Sequence, residues 1–339
     1  MHVVVTGACG FIGSHVTEAL LARGDTVVGV DNFNHFYDPT IKEAHRTLLE
    51  EHAGFSLVRG SVLDAVIRDA AFARRPDVVV HLAAWAGVRP SIEMPALYQR
   101  ENIEGTVAMM EHTRAAGGPR SAGHPHPGLP RFVFASSSSV YGGNVKVPFH
   151  EDDPVNEPVS PYAATKRCCE LLLHTWGHLW GLFSTSLRFF TVYGPRQRPE
   201  MAIHKFAQLL VEGRPVPRYG DGSTARDYTY IDDIVKGVVA AVDRDQGPVS
   251  RIINLGNSRT VKLDELIHKL AVALDVEARF TSLPEQPGDV PLTFADVSRA
   301  RAELGYDPQT GIEAGLAKFA TWFRARHAAT PVAVPVVGR

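Results

Sequence analysis

Residues 2–16 read HVVVTGACGFIGSHV, and this stretch decides the fold. It begins with a run of valines, which predicts a short buried strand. Glycines then recur at every third position, in the spacing GxxGxxG, and lead into an amphipathic run that predicts a helix. Glycine lets the backbone approach a pyrophosphate, and the helix start offers free N–H groups and positive potential. The stretch therefore predicts a dinucleotide-binding turn whose contacts are Gly7, Gly10, Phe11, Ile12 and Gly13.

Similar strands recur along the chain. Short runs that are apolar on both faces alternate with longer amphipathic runs. This pattern is typical of an α/β protein with a doubly wound, Rossmann-type parallel sheet, because helices cover both faces of such strands. The predicted strands are His2–Thr6, Thr26–Val30, Phe55–Val58, Asp77–Leu82, Arg131–Ala135, Ser184–Phe190 and Arg251–Leu255, and the predicted helices are Ile12–Arg23, Asp64–Arg74, Ala96–Ala115 and Pro161–Trp180.

The second half of the chain is less regular. We predict a dinucleotide-binding domain over residues 1–190, to which residues 231–258 return. Residues 191–339 otherwise form a smaller, mostly helical lobe, which is interleaved with the first domain in sequence. Residues 328–339 hold two prolines and no periodicity, and they predict a frayed tail.

Composition argues against several classes of protein. The 339 residues are 45% hydrophobic and 21% charged, as in ordinary globular proteins. A net charge of −2 gives no basic field for nucleic acid or an anionic membrane. No apolar run approaches the ~20 residues of a transmembrane helix, and no signal peptide precedes the first strand. The three cysteines favour a reducing compartment, so we expect a cytoplasmic protein.

The sequence predicts no metal site. His124 and His126 lie in residues 117–130, which are rich in glycine and proline and connect a helix to the next strand. Such a connection lies at the amino edge of a parallel sheet, whereas ligands bind at the carboxyl edge.

An acidic residue ends the second predicted strand, about 20 residues after the glycines. A carboxylate in this place accepts hydrogen bonds from the adenosine ribose and repels a 2′-phosphate. No arginine follows it to pair with such a phosphate. The sequence therefore predicts NAD as the cofactor, with Asp31 and Asn32 at the ribose.

Two further strand ends extend the predicted cofactor site. Asp64 follows the third strand, where it could face the adenine amino group or cap the next helix, and both roles stay open. The fourth strand ends in small and apolar residues, which let the cofactor lie close to the sheet. These residues are Leu82, Ala83 and Ala84.

The fifth strand leads into a run of serines, and a tyrosine and a lysine follow in a long helix. Tyr162 and Lys166 are four residues apart, so they share one helix face. A nearby ammonium favours the phenolate; the pKa of tyrosine starts near ~10 and must fall by ~3 units to reach neutrality. A positively charged nicotinamide can supply part of that shift. The pattern predicts a general acid–base that moves an alcohol proton while a hydride moves.

Together, the glycine turn, the acid after the second strand, the serine run and the tyrosine–lysine pair resemble an extended short-chain dehydrogenase/reductase of the nucleotide-sugar epimerase and dehydratase group. The resemblance runs from Met1 to about residue 325. It implies a homodimer formed by helices Ala96–Ala115 and Pro161–Trp180. It also implies that Ser137, Tyr162 and Lys166 are catalytic, that Tyr162 and Lys166 also contact the cofactor, and that Asn102 supports the cofactor site.

Several runs resemble the UDP-glucuronate 4-epimerases of that group. They are AGVRPS (86–91), KVPF (146–149), EDDP (151–154), RFFTVYGP (188–195) and RPEMA (198–202). Related dehydratases and decarboxylases carry an acid where this chain has Ser139, and galactose-type epimerases carry asparagine where it has Thr191. The chain departs from the pattern at Trp85, where a polar residue is expected, and at Pro90, where an aromatic is expected.

The resemblance implies UDP-glucuronate as the substrate, and an acid sugar makes a clear physical demand. Oxidation at carbon 4 gives a β-keto acid, which loses carbon dioxide easily, so the enzyme has to hold the carboxylate. Charge-assisted hydrogen bonds from an arginine are the strongest contacts that a protein can make with such a carboxylate. The predicted carboxylate contacts are Ser138, Ser139, Thr191 and Arg198; Arg226 and Asp289 are implied at the UDP diphosphate and ribose, and Arg89 at a phosphate.

Three alternatives stay open. The nearest is a 4-epimerase of UDP-glucose or UDP-N-acetylglucosamine. A UDP-glucuronate decarboxylase is less favoured, because the acid before the VYG sequence is missing. A non-catalytic NAD-sensing regulator on the same fold is least favoured, because the serine, tyrosine and lysine are all present.

Overall fold

The computed structural model describes residues 1–117, 128–284 and 290–329. In chain order the strands are β1 (His2–Thr6), β2 (Thr26–Asp31), β3 (Phe55–Arg59), β4 (Val78–His81), β5 (Arg131–Ser137), β6 (Ser184–Phe189), β7 (Thr191–Tyr193), β8 (Val216–Tyr219), β9 (Ala225–Tyr230), β10 (Ser250–Leu255), β11 (Thr260–Lys262) and β12 (Phe280–Leu283). The α-helices are α1 (Phe11–Ala22), α2 (Pro39–Glu50), α3 (Ala65–Ala71), α4 (Val88–Glu93), α5 (Pro95–Tyr98), α6 (Gly105–Ala115), α7 (Pro161–Trp180), α8 (Ala202–Val211), α9 (Ile231–Asp243), α10 (Leu263–Leu274), α11 (Ser298–Leu304) and α12 (Ile312–Ala329).

Seven parallel strands form the central sheet, in the order β10-β6-β5-β4-β1-β2-β3. The valines of β1 and β4 have no exposed surface, because helices cover both faces of these strands. From β1 the chain winds first toward β3 and then, from β4, toward the other edge. This reversal opens a crevice at the carboxyl ends of β1 and β4. The predicted fold class and its seven strands are confirmed, with ends shifted by at most two residues.

The predicted helix Ala96–Ala115 is wrong as one continuous α-helix. The chain forms the short α5, then a π-helical turn over Gln99–Glu104, then α6. At this turn the side chains of Thr106 and Cys169 donate to the Asn102 carbonyl oxygen. These side-chain bonds satisfy a backbone group beside the irregular turn, which periodicity along the sequence does not reveal.

The predicted mostly helical lobe also contains two small sheets. One has the strand order β11-β9-β7 and the other pairs β12 with β8. Their strands have three to six residues, too few to give a clear alternating pattern. Across the described residues, no helix has both the length and the apolarity needed to cross a bilayer.

The division into domains at residue 190 stays a prediction, but two observations bear on its logic. Strand β10 lies beside β6 at the edge of the central sheet, as predicted for residues 251–255. Helix α9 packs against α1 and so also belongs to the layers around this sheet. The tail beyond residue 329, like residues 118–127 with His124 and His126, lies outside the described residues.

Candidate active site

The glycine turn after β1 is shaped by close backbone contacts. Gly7 has a φ of +69°, and a β-carbon there would lie 2.9 Å from the backbone nitrogen of Ala83. A β-carbon on Gly13 would collide with the carbonyl oxygen of Gly7. Gly10 precedes α1 and gives it no side-chain cap, and Phe11, Ile12 and Gly13 of the first turn line the crevice. This uncapped, side-chain-free cradle fits a pyrophosphate.

An elongated cavity of about 330 Å³ follows the carboxyl edge of the sheet. It runs from the ends of β2 and β3, past the glycine turn, to the ends of β5 and β6. The predicted cofactor contacts that line it are Gly7, Gly10, Phe11, Ile12, Gly13, Asp31, Asn32, Leu82, Ala83, Ala84, Tyr162 and Lys166. These residues are separated in sequence but share one cleft, as an extended dinucleotide requires.

Asp31 lies buried at the end of β2. Its carboxylate accepts hydrogen bonds from the backbone N–H groups of Cys9 (3.2 Å) and Phe33 (2.9 Å). The ammonium of Lys42, in α2, lies 3.0 Å from the same carboxylate and also lines the cavity. Sequence reasoning missed Lys42, because a lysine in an amphipathic run carries no signal of burial. The carboxylate is thus held from three sides at the predicted ribose position.

Asp64 and Asn102 stand beside the cavity. Asp64 caps α3, since its carboxylate accepts a hydrogen bond from the backbone N–H of Val66 at 2.9 Å. Its adenine contact stays a prediction. Asn102 is buried in the π-helical turn, where its amide accepts from the Trp85 N–H (2.8 Å) and donates to the Trp85 carbonyl (3.0 Å). Asn102 therefore fixes the loop after β4.

Ser137, Tyr162 and Lys166 meet where β5 ends beside α7. Lys166 Nζ donates to the carbonyl oxygen of Ala135 at 2.7 Å and lies 5.9 Å from the centre of the Tyr162 ring. The hydroxyl of Ser137 donates to that of Ser139 at 3.1 Å. All three predicted catalytic side chains line the same end of the cavity. Lysine, tyrosine and serine are thus assembled around one volume, as acid–base work on a hydroxyl requires.

Burial changes the acidity of both titratable groups in this set. It lowers the pKa of Lys166 to about 8, and the negative charge of Glu170 opposes that shift. It raises the pKa of Tyr162, while Ser137 and the positive charge of Arg198 oppose the rise. The direction for Tyr162 is opposite to the one that the sequence predicts from Lys166 alone. Formation of a phenolate therefore needs more positive charge in the cavity than the lysine supplies.

A buried ion pair between Glu170 and Arg188 contacts the end of β5. Glu170, one helical turn after Lys166, accepts hydrogen bonds from Arg188 Nε (2.8 Å) and from the Ser136 hydroxyl (2.6 Å). The side chains of Glu170 and Arg188 are at most 1% exposed. The guanidinium of Arg188 also lies 4.7 Å from the ring of Tyr141, in the turn that follows the serines. This network ties α7, β5, β6 and the serine turn together, and sequence reasoning missed it.

A second cavity of about 150 Å³ adjoins the first on the side of the lobe. The two cavities share Ser138, Ser139 and Thr191 in their walls. Arg226 also lines the second cavity, and it lies in β9, the strand that pairs with β7. The structure therefore brings three predicted carboxylate contacts and the predicted diphosphate contact around one space next to Tyr162.

The remaining predicted substrate contacts have different positions. Arg198 lines the first cavity and pairs with Glu200 at 3.0 Å. The guanidinium of Arg89, in α4, lies 5.3 Å from the ring centre of Tyr219 in the lobe. Its phosphate contact stays a prediction. Asp289 lies outside the described residues.

Asp227, next to Arg226, connects three segments of the lobe. Its buried carboxylate accepts hydrogen bonds from the backbone N–H groups of Asn257 (2.7 Å), Ser258 (3.0 Å) and Ala295 (3.1 Å). Burial raises the pKa of Asp227 to about 6, and these hydrogen bonds limit the rise. The carboxylate thus holds β9, and with it Arg226, against the neighbouring segments. Sequence reasoning did not identify this residue.

Comparison with known proteins now adds an independent observation. Residues 3–256 match the profile of the NAD dependent epimerase/dehydratase family. The chain belongs to this family. The match covers the glycine turn, the serine run and the tyrosine–lysine pair, so the predicted membership among extended short-chain dehydrogenases/reductases and the predicted NAD cofactor are confirmed.

Individual family members resemble the chain over most of its length. UDP-glucuronate 4-epimerase 1 of Arabidopsis thaliana is 46% identical over 343 aligned positions, which cover 95% of this chain and 76% of that protein. A crystal structure of UDP-glucuronic acid 4-epimerase from Bacillus cereus, in complex with UDP-glucuronic acid and NAD, has a TM-score of 0.87 at 34% identity, over 96% of this chain and 100% of that one. UDP-glucose 4-epimerase of Thermotoga maritima, with UDP-glucose, has a TM-score of 0.85 at 31% identity, over 96% and 99%.

Proposed function

We propose that this enzyme is a UDP-glucuronate 4-epimerase, which interconverts UDP-glucuronate and UDP-galacturonate with NAD as a resident cofactor. The observation that carries the proposal is the shared wall of Ser138, Ser139 and Thr191 between the cavity of Tyr162 and the cavity of Arg226. The similarity to UDP-glucuronate 4-epimerases over 95% of the chain supports the same substrate. The position before the VYG sequence carries Ser139 and no acid, which disfavours decarboxylase and dehydratase chemistry.

The residues that hold the cofactor follow from the cavity. The N–H groups at the start of α1 bind the pyrophosphate, and Asp31 binds the adenosine ribose. Lys166 and Tyr162 bind at the nicotinamide end. When bound there, NAD⁺ would supply the hydride acceptor for carbon 4 of the sugar and the hydride donor for the opposite face.

Tyr162 moves the proton in this reaction. As a phenolate it accepts the proton of the 4-hydroxyl while the C–H bond breaks, which leaves a ketone at carbon 4. It returns the same proton when the C–H bond forms on the other face, so no net oxidation occurs. Ser137 orients the hydroxyl by a hydrogen bond. Burial raises the pKa of Tyr162, and the hydrogen bond from Ser137 and the positive charge of Arg198 oppose the rise; a bound nicotinamide ring would add positive charge that favours the phenolate.

The sugar carboxylate has to be held during the ketone stage. Decarboxylation requires the C–C bond to the carboxylate to align with the π system of the ketone. Ser138, Ser139 and Thr191 donate hydroxyl hydrogen bonds from one wall, and Arg198 adds positive charge in the same cavity. Arg226 binds the diphosphate, with Asp289 at the uridine ribose and Arg89 at a phosphate, so the ketone can rotate while the nucleotide stays bound.

The decisive experiment mixes the purified protein with UDP-glucuronate and follows the sugar by proton NMR, first without added cofactor and then with NAD⁺. UDP-galacturonate with its carboxyl carbon retained is the expected product. Release of carbon dioxide would identify a decarboxylase. Conversion of UDP-glucose but not of UDP-glucuronate in a parallel tube would establish the alternative that the Thermotoga maritima enzyme represents.

The Arg198→Ala variant tests the carboxylate grip directly. We expect it to lower kcat/KM for UDP-glucuronate by roughly ten- to a hundred-fold, the usual range for the loss of a charge-assisted contact. Any loss on UDP-glucose should be smaller, because that sugar has no carboxylate and is affected only through the action of Arg198 on Tyr162 and the cofactor. Equal activity of variant and wild type on UDP-glucuronate would remove Arg198 from the substrate site.

The quaternary state and location belong to the same proposal. A homodimer would pair α6 and α7 with their copies, and its mass in solution can be measured by light scattering. A monomer at micromolar concentration would contradict that part alone. The cytoplasmic location stays a prediction.

A further inference from the structure

Two aromatic rings meet across the cavity. Phe36 lies in the loop between β2 and α2, and Trp85 lies in the loop after β4. Their ring centres are 5.4 Å apart with an interplanar angle of 74°, which is the edge-to-face geometry that aromatic pairs favour. Both rings line the cavity and are half-buried. The contact therefore forms part of the outer surface of the cavity.

The sheet order shows what lies beneath this contact. Strand β1 runs between β4 and β2, so the loops that carry the two rings flank the end of β1. Neighbouring strands are about 4.8 Å apart, which puts β2 and β4 roughly 10 Å from each other. The glycine turn and the start of α1 occupy the space between them. A Phe36–Trp85 contact thus joins the two loops on either side of the turn that fits the pyrophosphate.

The Trp85 side of this bridge is rigid. Both backbone groups of Trp85 are bonded to the buried amide of Asn102. The indole packs edge-to-face on Tyr98, with ring centres 6.3 Å apart. Tyr98 has no exposed surface, and its hydroxyl donates to the carbonyl oxygen of Ala86 at 2.7 Å. Trp85 is therefore fixed from below through two independent sets of contacts.

The Phe36 side is held by short local bonds and by a cation. The Phe36 N–H donates to the Asn34 side chain at 3.4 Å, and the Asn34 N–H donates to the Asn32 side chain at 3.2 Å. The guanidinium carbon of Arg198 lies 5.6 Å from the centre of the Phe36 ring. Phe36 thus stands between Trp85 and Arg198, which lie on different elements.

We propose that Phe36, Trp85 and Arg198 form a clasp over the pyrophosphate part of the cleft and retain NAD between turnovers. This inference deepens the proposed function and rests on it, because a reaction that regenerates its own NAD⁺ gains from slow cofactor release. It also gives a role to Trp85, the position at which the chain departs from the polar residue of the similar epimerases. A polar side chain there could not make the edge-to-face contact.

The test measures NAD release in the absence of any sugar. The purified protein is loaded with radiolabelled NAD⁺ and chased with unlabelled NAD⁺, and the label that stays bound is followed by rapid gel filtration. We expect Phe36→Ala and Trp85→Gln each to release NAD about ten-fold faster than wild type, as the loss of an aromatic contact predicts. Phe36→Tyr keeps the ring and should release NAD at close to the wild-type rate.

A double variant and a matched control complete the design. If the two rings act through one contact, Phe36→Ala/Trp85→Gln releases NAD little faster than either single variant. Phe280→Ala is the control, because Phe280 also packs on an arginine, 4.3 Å from Arg218, but on the lobe. It should leave release unchanged. Unchanged release in both single variants, or effects that multiply in the double variant, overturns the clasp. A protein that retains NAD by this criterion but leaves UDP-glucuronate unconverted refutes the proposed function and leaves the clasp standing.

Discussion

The cofactor end of the site is formed mainly by backbone, whereas the sugar end is formed mainly by side chains. At the cofactor end, backbone geometry does most of the work: Gly7 and Gly13 pack against neighbouring backbone, and α1 begins without a side-chain cap. At the sugar end, side chains from three separate elements converge, and buried charges such as Glu170 and Asp227 hold those elements in place. Backbone sites depend on local sequence, whereas side-chain sites depend on the packing beneath them. Substitutions at the cofactor end should therefore act through the local backbone, whereas substitutions at the sugar end should act through the packing beneath it.

The largest expected effect lies where the two ends meet. Tyr162→Phe removes the proposed acid–base and should lower kcat by ~10²–10⁴-fold, the usual contribution of such a group. The unfolding temperature should stay close to wild type, because phenylalanine keeps the ring and its edge-to-face packing on Tyr98. Steady-state kinetics by NMR or a coupled assay measures the loss. A variant with more than a tenth of the wild-type kcat would assign the proton to another group.

The buried ion pair beneath the sugar end should show the next largest effect. Glu170→Gln leaves Arg188 buried without its counter-charge and should lower the free energy of unfolding by roughly 3–5 kcal/mol. Denaturant titration measures this change. The double variant Glu170→Leu/Arg188→Met removes both charges and should be clearly more stable than the single variant. If single and double variants were equally unstable, the cost would come from packing and not from the unpaired charge.

A substitution in the glycine turn tests the cofactor end separately from the sugar end. Gly13→Ala puts a β-carbon against the Gly7 carbonyl and should cost roughly 1–3 kcal/mol of stability, as for other overpacked sites, together with most of the NAD content of the purified protein. Gly143→Ala is the matched control, since a β-carbon there meets nothing within 4 Å. Absorbance of the cofactor and thermal unfolding provide the measurements. Normal NAD content in Gly13→Ala would show that the turn can relax.

The smallest expected effect concerns pH and the lobe. Because the pKa of Asp227 is raised to about 6, the folded protein binds more protons than the unfolded chain between about pH 4 and 6. The contribution of Asp227 to the free energy of unfolding is therefore greatest below this window. It falls as pH rises through the window, by up to ~1.4 kcal/mol per pH unit. Asp227→Asn should flatten this part of the stability curve relative to wild type.

An exposed neighbour controls for the general charge of the protein. Asp232, whose side chain is about half exposed, pairs with Lys318 at 3.5 Å on the surface. Asp232→Asn changes the net charge by the same amount as Asp227→Asn but at a surface position, and it should keep the wild-type slope between about pH 4 and 6. Identical slopes in wild type and Asp227→Asn would show that the buried carboxylate stays ionised through the window.

Some residues of the site could be predicted from the sequence and others could not. The glycine turn, Asp31 and the Tyr162–Lys166 pair were all predictable, because each depends on spacing within one strand–turn–helix unit or one helix face. Lys42 and Glu170 were not, because a charged residue in an amphipathic helix reads as solvated until the tertiary packing is known. The π-helical turn around Asn102 was missed for a similar reason, since the thiol of Cys169, on another helix, donates to its backbone.

The sequence by itself determined the parallel sheet, the glycine turn and the shared helix face of Tyr162 and Lys166, because valine runs, glycine spacing and an i, i+4 pair are local patterns with one favoured geometry. Only the tertiary structure decided that Phe36 meets Trp85 and that Glu170 pairs with Arg188. Those contacts join residues far apart in the chain. The free energy that selects them comes from burying apolar surface and satisfying buried charges together, a property of the whole packed molecule.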